Sequence, residues 1–212
     1  MSPSRVEKVW TIVVAGGSGA RFGGPKQYEV LGDRRIIDHS VEIARRSGDG
    51  VVIVVPAADC AREGGVAGGT TRSESVRAGL AMVPDDATIV CVHDAARPFA
   101  TPAMFAAVIA AVQQGADAAI PGVAVADTIK LIDDNGVVIN TPRRDRVVAV
   151  QTPQAFRADV LRAAHASAGE ATDDAALVEA RGGHVVVVEG DVLNRKITLP
   201  DDLAWARAEL AR

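Results

Sequence analysis

A chain of 212 residues with 48% apolar but only 3% aromatic side chains must build its core from Val, Ile, Leu and Ala, the usual filling of a sheet covered by helices on both faces. A formal net charge of -4 excludes the basic footprint that general nucleic-acid or membrane-surface binding needs. The two cysteines, Cys60 and Cys91, lack a CxxC partner and imply neither a zinc site nor a disulfide framework, and no apolar run reaches the length of a membrane span, so a cytoplasmic protein is expected.

In chain order, "VWTIVVA" (9–15) reads as a buried strand by its β-branched content, and "RIIDHSVEIARR" (35–46) has helical spacing. "VVIVVP" (51–56) is a second buried strand, "RSESVRAGLAMV" (72–83) is helical, and "TIVCVHDA" (88–95) is a third strand, in which Cys91 reads as a buried thiol. "PAMFAAVIAAVQQG" (102–115) is a helix ended by Gly115, and "DAAIPGV" (117–123) is strand-like again. The alternation implies a mostly parallel sheet with crossover helices. It breaks at "DTIKLIDDNGVVINTPRRDR" (127–146), which predicts strands at 127–133 and 137–141 joined through Asn135-Gly136, both of which accept positive φ. After "VVAVQTP" (147–153) follow helices near 157–167 and 173–181, the strand "HVVVVEG" (184–190) and a helix near 201–211. One α/β domain over 1–212 with a protruding β-hairpin is expected.

The stretch "AGGSGARFGGPKQY" (15–28) follows the first strand, where a Gly-rich turn lets the backbone approach an anion and aim free N–H groups at it. It is not a Rossmann fingerprint, because Gly17-Ser18-Gly19 is followed by Ala20, Arg21 and Phe22 with no third glycine in register. Nor is it a P-loop, because Pro25 follows Gly24 and Gln27 follows Lys26. Arg21 and Lys26, the latter behind the rigid Pro25, suit a triphosphate whose charge must be held while one bond breaks. The bland alternative is a surface loop with solvated charges.

Further along stand "GGTTRSESVRAGL" (68–80), "HDAARPF" (93–99), "DTIK" (127–130), "AVQTPQAF" (149–156), "TDDAALVE" (172–179) and "EGDVLNRKITLPDDL" (189–203). Together with the glycine loop, and in this order, they resemble the 2-C-methyl-D-erythritol 4-phosphate cytidylyltransferase family of the sugar-phosphate nucleotidyltransferases, from about residue 10 to 208. The resemblance implies a Rossmann-like nucleotidyltransferase fold, a mostly parallel twisted sheet with helices on both faces. It implies transfer of a cytidylyl group from CTP to the sugar-alcohol phosphate, with release of pyrophosphate, in the non-mevalonate isoprenoid pathway, and dependence on Mg²⁺. The attacking phosphate monoester is largely dianionic at pH 7, so the reaction needs charge stabilisation and positioning more than a general base.

By the same resemblance, Arg21 and Lys26 stabilise the transition state, and Ala15, Gly16, Gly17, Gly19, Gly69, Thr70, Ser75 and Asp94 hold the nucleotide. The bland reading of 70–75 is a helix cap by Thr71 or Ser73 with Glu74 as dipole support, and both readings can hold together. Arg97, Thr128, Arg144, Thr152 and Lys196 would hold the acceptor phosphate, with Arg144 and Lys196 also counted as catalytic. Asp94 is the candidate metal ligand, with Mg²⁺ held mainly by the CTP phosphates; its bland reading is a local ion pair with Arg97. The histidines, His93 included, read as structural or surface residues. The hairpin, at about 127–147, would be a dimerisation arm, giving a homodimer with shared sites. A ribitol or ribulose 5-phosphate cytidylyltransferase and a non-catalytic nucleotide-binding regulator remain open alternatives at this point. The Arg21-to-Lys26 spacing is shorter than in many family members.

Overall fold

The computed structural model describes residues 7–166 and 171–212. The chain starts with β1 (Val9–Val14); the glycine loop follows, then the short antiparallel pair β2 (Val30–Leu31) and β3 (Arg34–Arg35), and α1 (Ile36–Arg46). The alternation continues through β4 (Gly50–Val55), α2 (Cys60–Glu63), β5 (Val66–Ala67), α3 (Arg72–Leu80), β6 (Ile89–Asp94), α4 (Pro102–Gln113) and β7 (Ala118–Ala124). Then come β8 (Leu131–Ile132), β9 (Val138–Asn140), β10 (Val148–Val150), β11 (Gln154–Arg157), α5 (Ala158–His165), α6 (Asp174–Glu179), β12 (Val185–Glu189) and α7 (Pro200–Leu210). Residue 167, the last of the helix expected near 157–167, lies outside the described residues.

One large sheet organises the chain. β5, β4, β1 and β6 run parallel, and β12 runs parallel to β7. Between these two parallel groups lies β11, antiparallel to both β6 and β7, and β10 pairs antiparallel with the far half of β7. The antiparallel element was not expected from sequence, which assigns no strand to "QTPQAF" (151–156). Its apolar content is short and interrupted by Pro153, so no strand period is visible. The interruption between β10 and β11 falls at Gln151–Pro153 and turns Thr152 towards the end of β6.

Side chains alternate across this sheet as a pleat requires. Val9 and Val13 of β1 and Ile89 and Cys91 of β6 pack with Ile37, Val41 and Ala44 of α1 and Phe105, Val108 and Val112 of α4. Ile12, Val90 and Val92 face the other way, onto Val76 and Leu80 of α3, Leu161 and Ala164 of α5 and Val178 of α6. The Cys91 thiol is fully buried and burial pushes its pKa up to about 12, as a structural cysteine requires. A third cluster stands apart from the sheet: Leu31, Ile36, Ile197, Leu203 and Ala206, with Phe22, Phe99 and Trp205 against it.

The 127–147 region departs from expectation in two ways. The paired strands shrink to β8 and β9, with Leu131 opposite Asn140 and Ile132 opposite Val138 across a bulge. The turn is wider than a two-residue Asn-Gly link: Asp133 N–H donates to the Val137 carbonyl (2.9 Å), and only Gly136 has positive φ (+79°). The cause is the Asp133 carboxylate, whose Oδ1 accepts the N–H groups of Asn135 (3.0 Å) and Val137 (2.8 Å) and so sets a three-residue loop. Leu131, Ile132, Val137, Val138 and Ile139 are all exposed.

Candidate active site

β1 and β6 end side by side at Val14 and Asp94, and the glycine loop leaves from the first of them. In an open α/β sheet, the crevice beyond the carboxyl ends of the strands is where ligands bind. Ala15 N–H is fixed to the Val54 carbonyl at 2.7 Å. A Cβ on Gly16 would press on Ser75 Oγ, so this residue type lets the loop lie directly on α3. Gly19 takes φ +69°, and its carbonyl accepts the N–H groups of Phe22, Gly23 and Gly24 at 2.8, 3.0 and 3.3 Å. Those three donors are therefore turned inward and are not among the N–H groups the turn can aim at a ligand. Residues 15–22 of the loop line the cavity, and Gly23 and Gly24 do not. Lys26 N–H closes onto the Gly24 carbonyl at 2.8 Å, and Pro25 starts the 3-10 turn that carries Lys26.

The segment before α3 satisfies both of its sequence readings. Thr71 caps the helix, its Oγ1 accepting from Glu74 N–H at 3.1 Å. The Glu74 carboxylate reaches back to Thr70 N–H, Thr70 Oγ1 and Thr71 N–H. The turn is thereby rigid, and Gly69, Thr70 and Ser75 line the same cavity as the glycine loop. Ser75 Oγ is committed to the Thr71 carbonyl at 3.0 Å.

Asp94 is the electrostatic centre. Its Oδ2 accepts from Lys196 Nζ at 2.6 Å and its Oδ1 from Arg72 Nε at 3.3 Å, while its N–H donates to Thr152 Oγ1 at 3.0 Å. The bland alternative, a local Asp94–Arg97 side-chain pair, gives way to these longer-range partners. Burial works against the Asp94 charge, but Arg72 and Lys196 outweigh it and hold the carboxyl far below the usual range. Arg72 passes the chain on: its Nη1 donates to Asp174 Oδ2 at 2.7 Å, and His165 Nε2 meets Asp174 Oδ1 at 3.0 Å. Arg72 stays above its ordinary pKa because Asp94 and Asp174 overcome its burial.

Around this centre lies a cavity of about 550 Å³, large enough for a nucleotide. Its walls bring together Ala15, Gly16, Gly17, Gly19, Arg21, Lys26, Gly69, Thr70, Ser75, Asp94 and Lys196 of the expected set. The lining holds four cationic side chains (Arg21, Lys26, Arg72 and Lys196) and one carboxylate, Asp94. Burial, then the nearby Lys196 and Arg21 charges, pull the Lys26 ammonium below its ordinary pKa. Such an excess of confined positive charge is relieved when a polyanion enters.

A second cavity of about 230 Å³ adjoins the first through Arg72, Asp94 and Lys196, and Arg97 and Thr152 line it. Arg97 is braced rather than free: Nη1 donates to the Asn194 carbonyl at 2.8 Å and Nη2 to the Val150 carbonyl at 3.3 Å. Thr128 and Arg144 line neither cavity. Both are exposed, and Arg144 Nη1 donates to the Ala126 carbonyl at 2.7 Å.

For a divalent metal, the described residues offer no group of three or more His, Cys, Asp or Glu. The described residues therefore offer no protein cage for the ion. One buried carboxylate beside a polyanion cavity does fit Mg²⁺, which keeps waters and uses one or two carboxylates plus substrate phosphates.

Sequence reading missed Arg72 and Asp174, and gave His93 and His165 no more than a structural or surface role. His93 is fully buried, with Nδ1 3.1 Å from Thr152 Oγ1, and burial lowers its pKa to about 4. It orients the threonine that receives Asp94 N–H. Arg72 and Asp174 sit inside the quoted motifs "GGTTRSES" and "TDDAALVE", but 102 residues separate them, and no local period reveals such a pair. None of the described helices is long and apolar enough to cross a membrane.

The family model of 2-C-methyl-D-erythritol 4-phosphate cytidylyltransferase matches residues 9–212. The enzyme of that name from Frankia casuarinae is 47% identical over 223 aligned positions, covering 99% of this chain and 84% of the relative. The one from Rhodococcus opacus is 46% identical, with 94% of each chain covered. The crystal structure of 4-diphosphocytidyl-2C-methyl-D-erythritol synthase from Anaerococcus prevotii superposes with a TM-score of 0.86 at 32% identity, covering 97% of this chain and 99% of that one.

Proposed function

The chain belongs to the 2-C-methyl-D-erythritol 4-phosphate cytidylyltransferase family, and from that premise we propose how its residues carry the family reaction. CTP enters the larger cavity, its base end at 68–75 and its triphosphate along 15–20. The acceptor phosphate enters the smaller cavity beside Arg97 and Thr152. The two meet where Arg72, Asp94 and Lys196 are shared. An acceptor phosphate oxygen forms a bond to the α-phosphorus while the bond to the β-phosphate oxygen breaks. Pyrophosphate leaves with that electron pair, and the other product is 4-diphosphocytidyl-2-C-methyl-D-erythritol.

Bringing a dianion against a triphosphate is opposed mainly by charge, so the residues act by position and field. Arg21 and Lys26 face the triphosphate, and Lys196 bridges the two substrates. Mg²⁺, held by CTP phosphates with Asp94 as its one protein carboxylate, would supply further neutralisation of the phosphate charge. Asp94, kept ionised by Arg72, also keeps Lys196 at the junction. Arg144 and Thr128 serve from a second copy of the chain, carried by the ribbon at 127–147 into the partner's acceptor cavity. Their exposure away from both cavities of their own chain supports that reading, as do the uncovered apolar residues of the ribbon.

The observation that carries the activity is the four-to-one excess of cations over carboxylates in a nucleotide-sized cavity at the ends of β1 and β6. The test is pyrophosphate release from CTP in three parallel reactions: with methylerythritol phosphate, with ribitol phosphate, and with no acceptor. Release with the first and with a divalent cation only is expected. Equal release with ribitol phosphate, or equal turnover of ATP, would sink the assignment.

A further inference from the structure

The Arg21 loop has a mechanical difficulty. Between Ala15 and Pro25 it holds five glycines, and glycine keeps the most backbone freedom of any residue. A cation aimed at developing charge loses its effect when it wanders by an ångström. The Gly19 carbonyl fixes the turn from inside, but those bonds do not tie the turn to anything else. The one large apolar side chain in the stretch is Phe22, next to Arg21. Phe22 both lines the cavity and packs against the third hydrophobic cluster.

The same cluster holds the opposite wall. Ile197 is fully buried within it, directly after Lys196, and its N–H donates to the Ala96 carbonyl at 2.8 Å. Leu203 and Ala206 of α7 complete the cluster, and Trp205 packs at its margin against Phe99. None of these side chains belongs to the two cores that cover the sheet.

We propose that this third cluster is a positioning device for catalysis: Phe22 and Ile197 anchor Arg21 and Lys196 to one apolar platform built on α7. Phe22 is the positioning residue, acting through Arg21. The proposal rests on the reading of Arg21 as a transition-state cation, but its physical core can be tested without turnover. Phe22 is only partly buried, so its loss should disturb the loop more than the fold.

The experiment compares wild type, Phe22→Ala and Phe22→Leu. Backbone amide exchange across 19–24 is measured on the substrate-free protein, kcat and KM for CTP are measured by pyrophosphate release, and the unfolding midpoint by calorimetry. Phe22→Ala should speed exchange at 19–24 and lower kcat on the order of tenfold or more. KM for CTP should change less than kcat, and the unfolding midpoint should move by no more than a few degrees. Phe22→Leu should recover most of both losses, because the anchor needs apolar volume rather than a ring. Unchanged exchange in Phe22→Ala would overturn the proposal, and so would lost kcat that leucine does not rescue. If wild type releases no pyrophosphate from CTP, the functional reading fails, while the exchange result still decides on the anchor.

Discussion

The end of β6 and the ribbon at 127–147 are built by opposite rules. At Asp94 every side-chain partner comes from far along the chain: Arg72 from 22 residues away, Thr152 from 58, Lys196 from 102. In the ribbon the contacts stay within the ribbon and its base: Asp133 holds Asn135 two residues on, Arg143 pairs with Asp145, Lys130 meets Thr141 eleven residues away, and Arg144 reaches Ala126 eighteen residues back. The first region is finished within one chain, its charges mutually fixed and largely out of water. The second keeps its charges solvated and its apolar residues outward. Interlocked contacts make a rigid site, whereas a two-stranded ribbon with only local contacts is marginal until something packs on it. Residues placed in the first region should act on their own chain, and residues in the second through a neighbour.

The largest effects should come from the cations. Arg21→Ala and Lys26→Ala should each lower kcat by about a hundredfold or more, since losing one preorganised donor costs about 3 kcal/mol of transition-state stabilisation. KM for CTP should change far less, and steady-state kinetics with both substrates varied decides it. Arg144→Ala should be as damaging, yet a verified mixed dimer with Arg21→Ala should regain activity. Both defects then fall in one site and leave the other intact. No recovery would erase the contrast between the two regions, because the ribbon would then serve its own chain.

The next largest effect should be on stability. Asp174→Ala leaves Arg72 with Asp94 as its remaining carboxylate and takes the partner of His165 Nε2, and Asp174 is almost wholly buried. Breaking a buried ion pair costs about 3 kcal/mol, which lowers Tm by roughly 6–12 °C in a chain of this size. Asp145→Ala removes an exposed pair in the ribbon and should cost less than about 0.5 kcal/mol. Thermal unfolding of the two variants side by side tests the contrast; equal shifts would refute it.

A smaller effect is expected with pH. His93 is held neutral by burial, with its pKa lowered to about 4 from an ordinary 6.5. Between those values the unfolded chain binds a proton that the folded chain does not. This histidine therefore costs stability as pH falls from 6.5 towards 4 and changes nothing above that window. The slope from this group is at most about 1.4 kcal/mol per pH unit. His93→Gln should flatten the fall of Tm across that window, and an unchanged slope would show that His93 does not carry it.

Much of this molecule was legible in the sequence because the signals are local. Local sequence signals placed β1, β4, β6, β7 and β12 with α1, α3, α4, α5, α6 and α7, though not the one-turn α2, since alternation and the 3.6-residue repeat are set by neighbours along the chain. A cap at Thr71 or Ser73, of which the structure uses Thr71, the glycine loop after β1 and the buried Cys91 were readable for the same reason. Motif order was enough to indicate the family. Only the tertiary structure decided what depends on distant partners. It placed β11 antiparallel between β6 and β7, because a four-residue strand shows no period and is stabilised by the strands on either side. It gave Asp94 the distant partners Arg72 and Lys196 in place of a local pair with Arg97, because a buried charge takes whichever opposite charge the fold brings within hydrogen-bond reach. It also turned the second half of the glycine loop inward onto Gly19. Sequence can say that a backbone is free to bend, but the contacts that select one bend come from the rest of the fold.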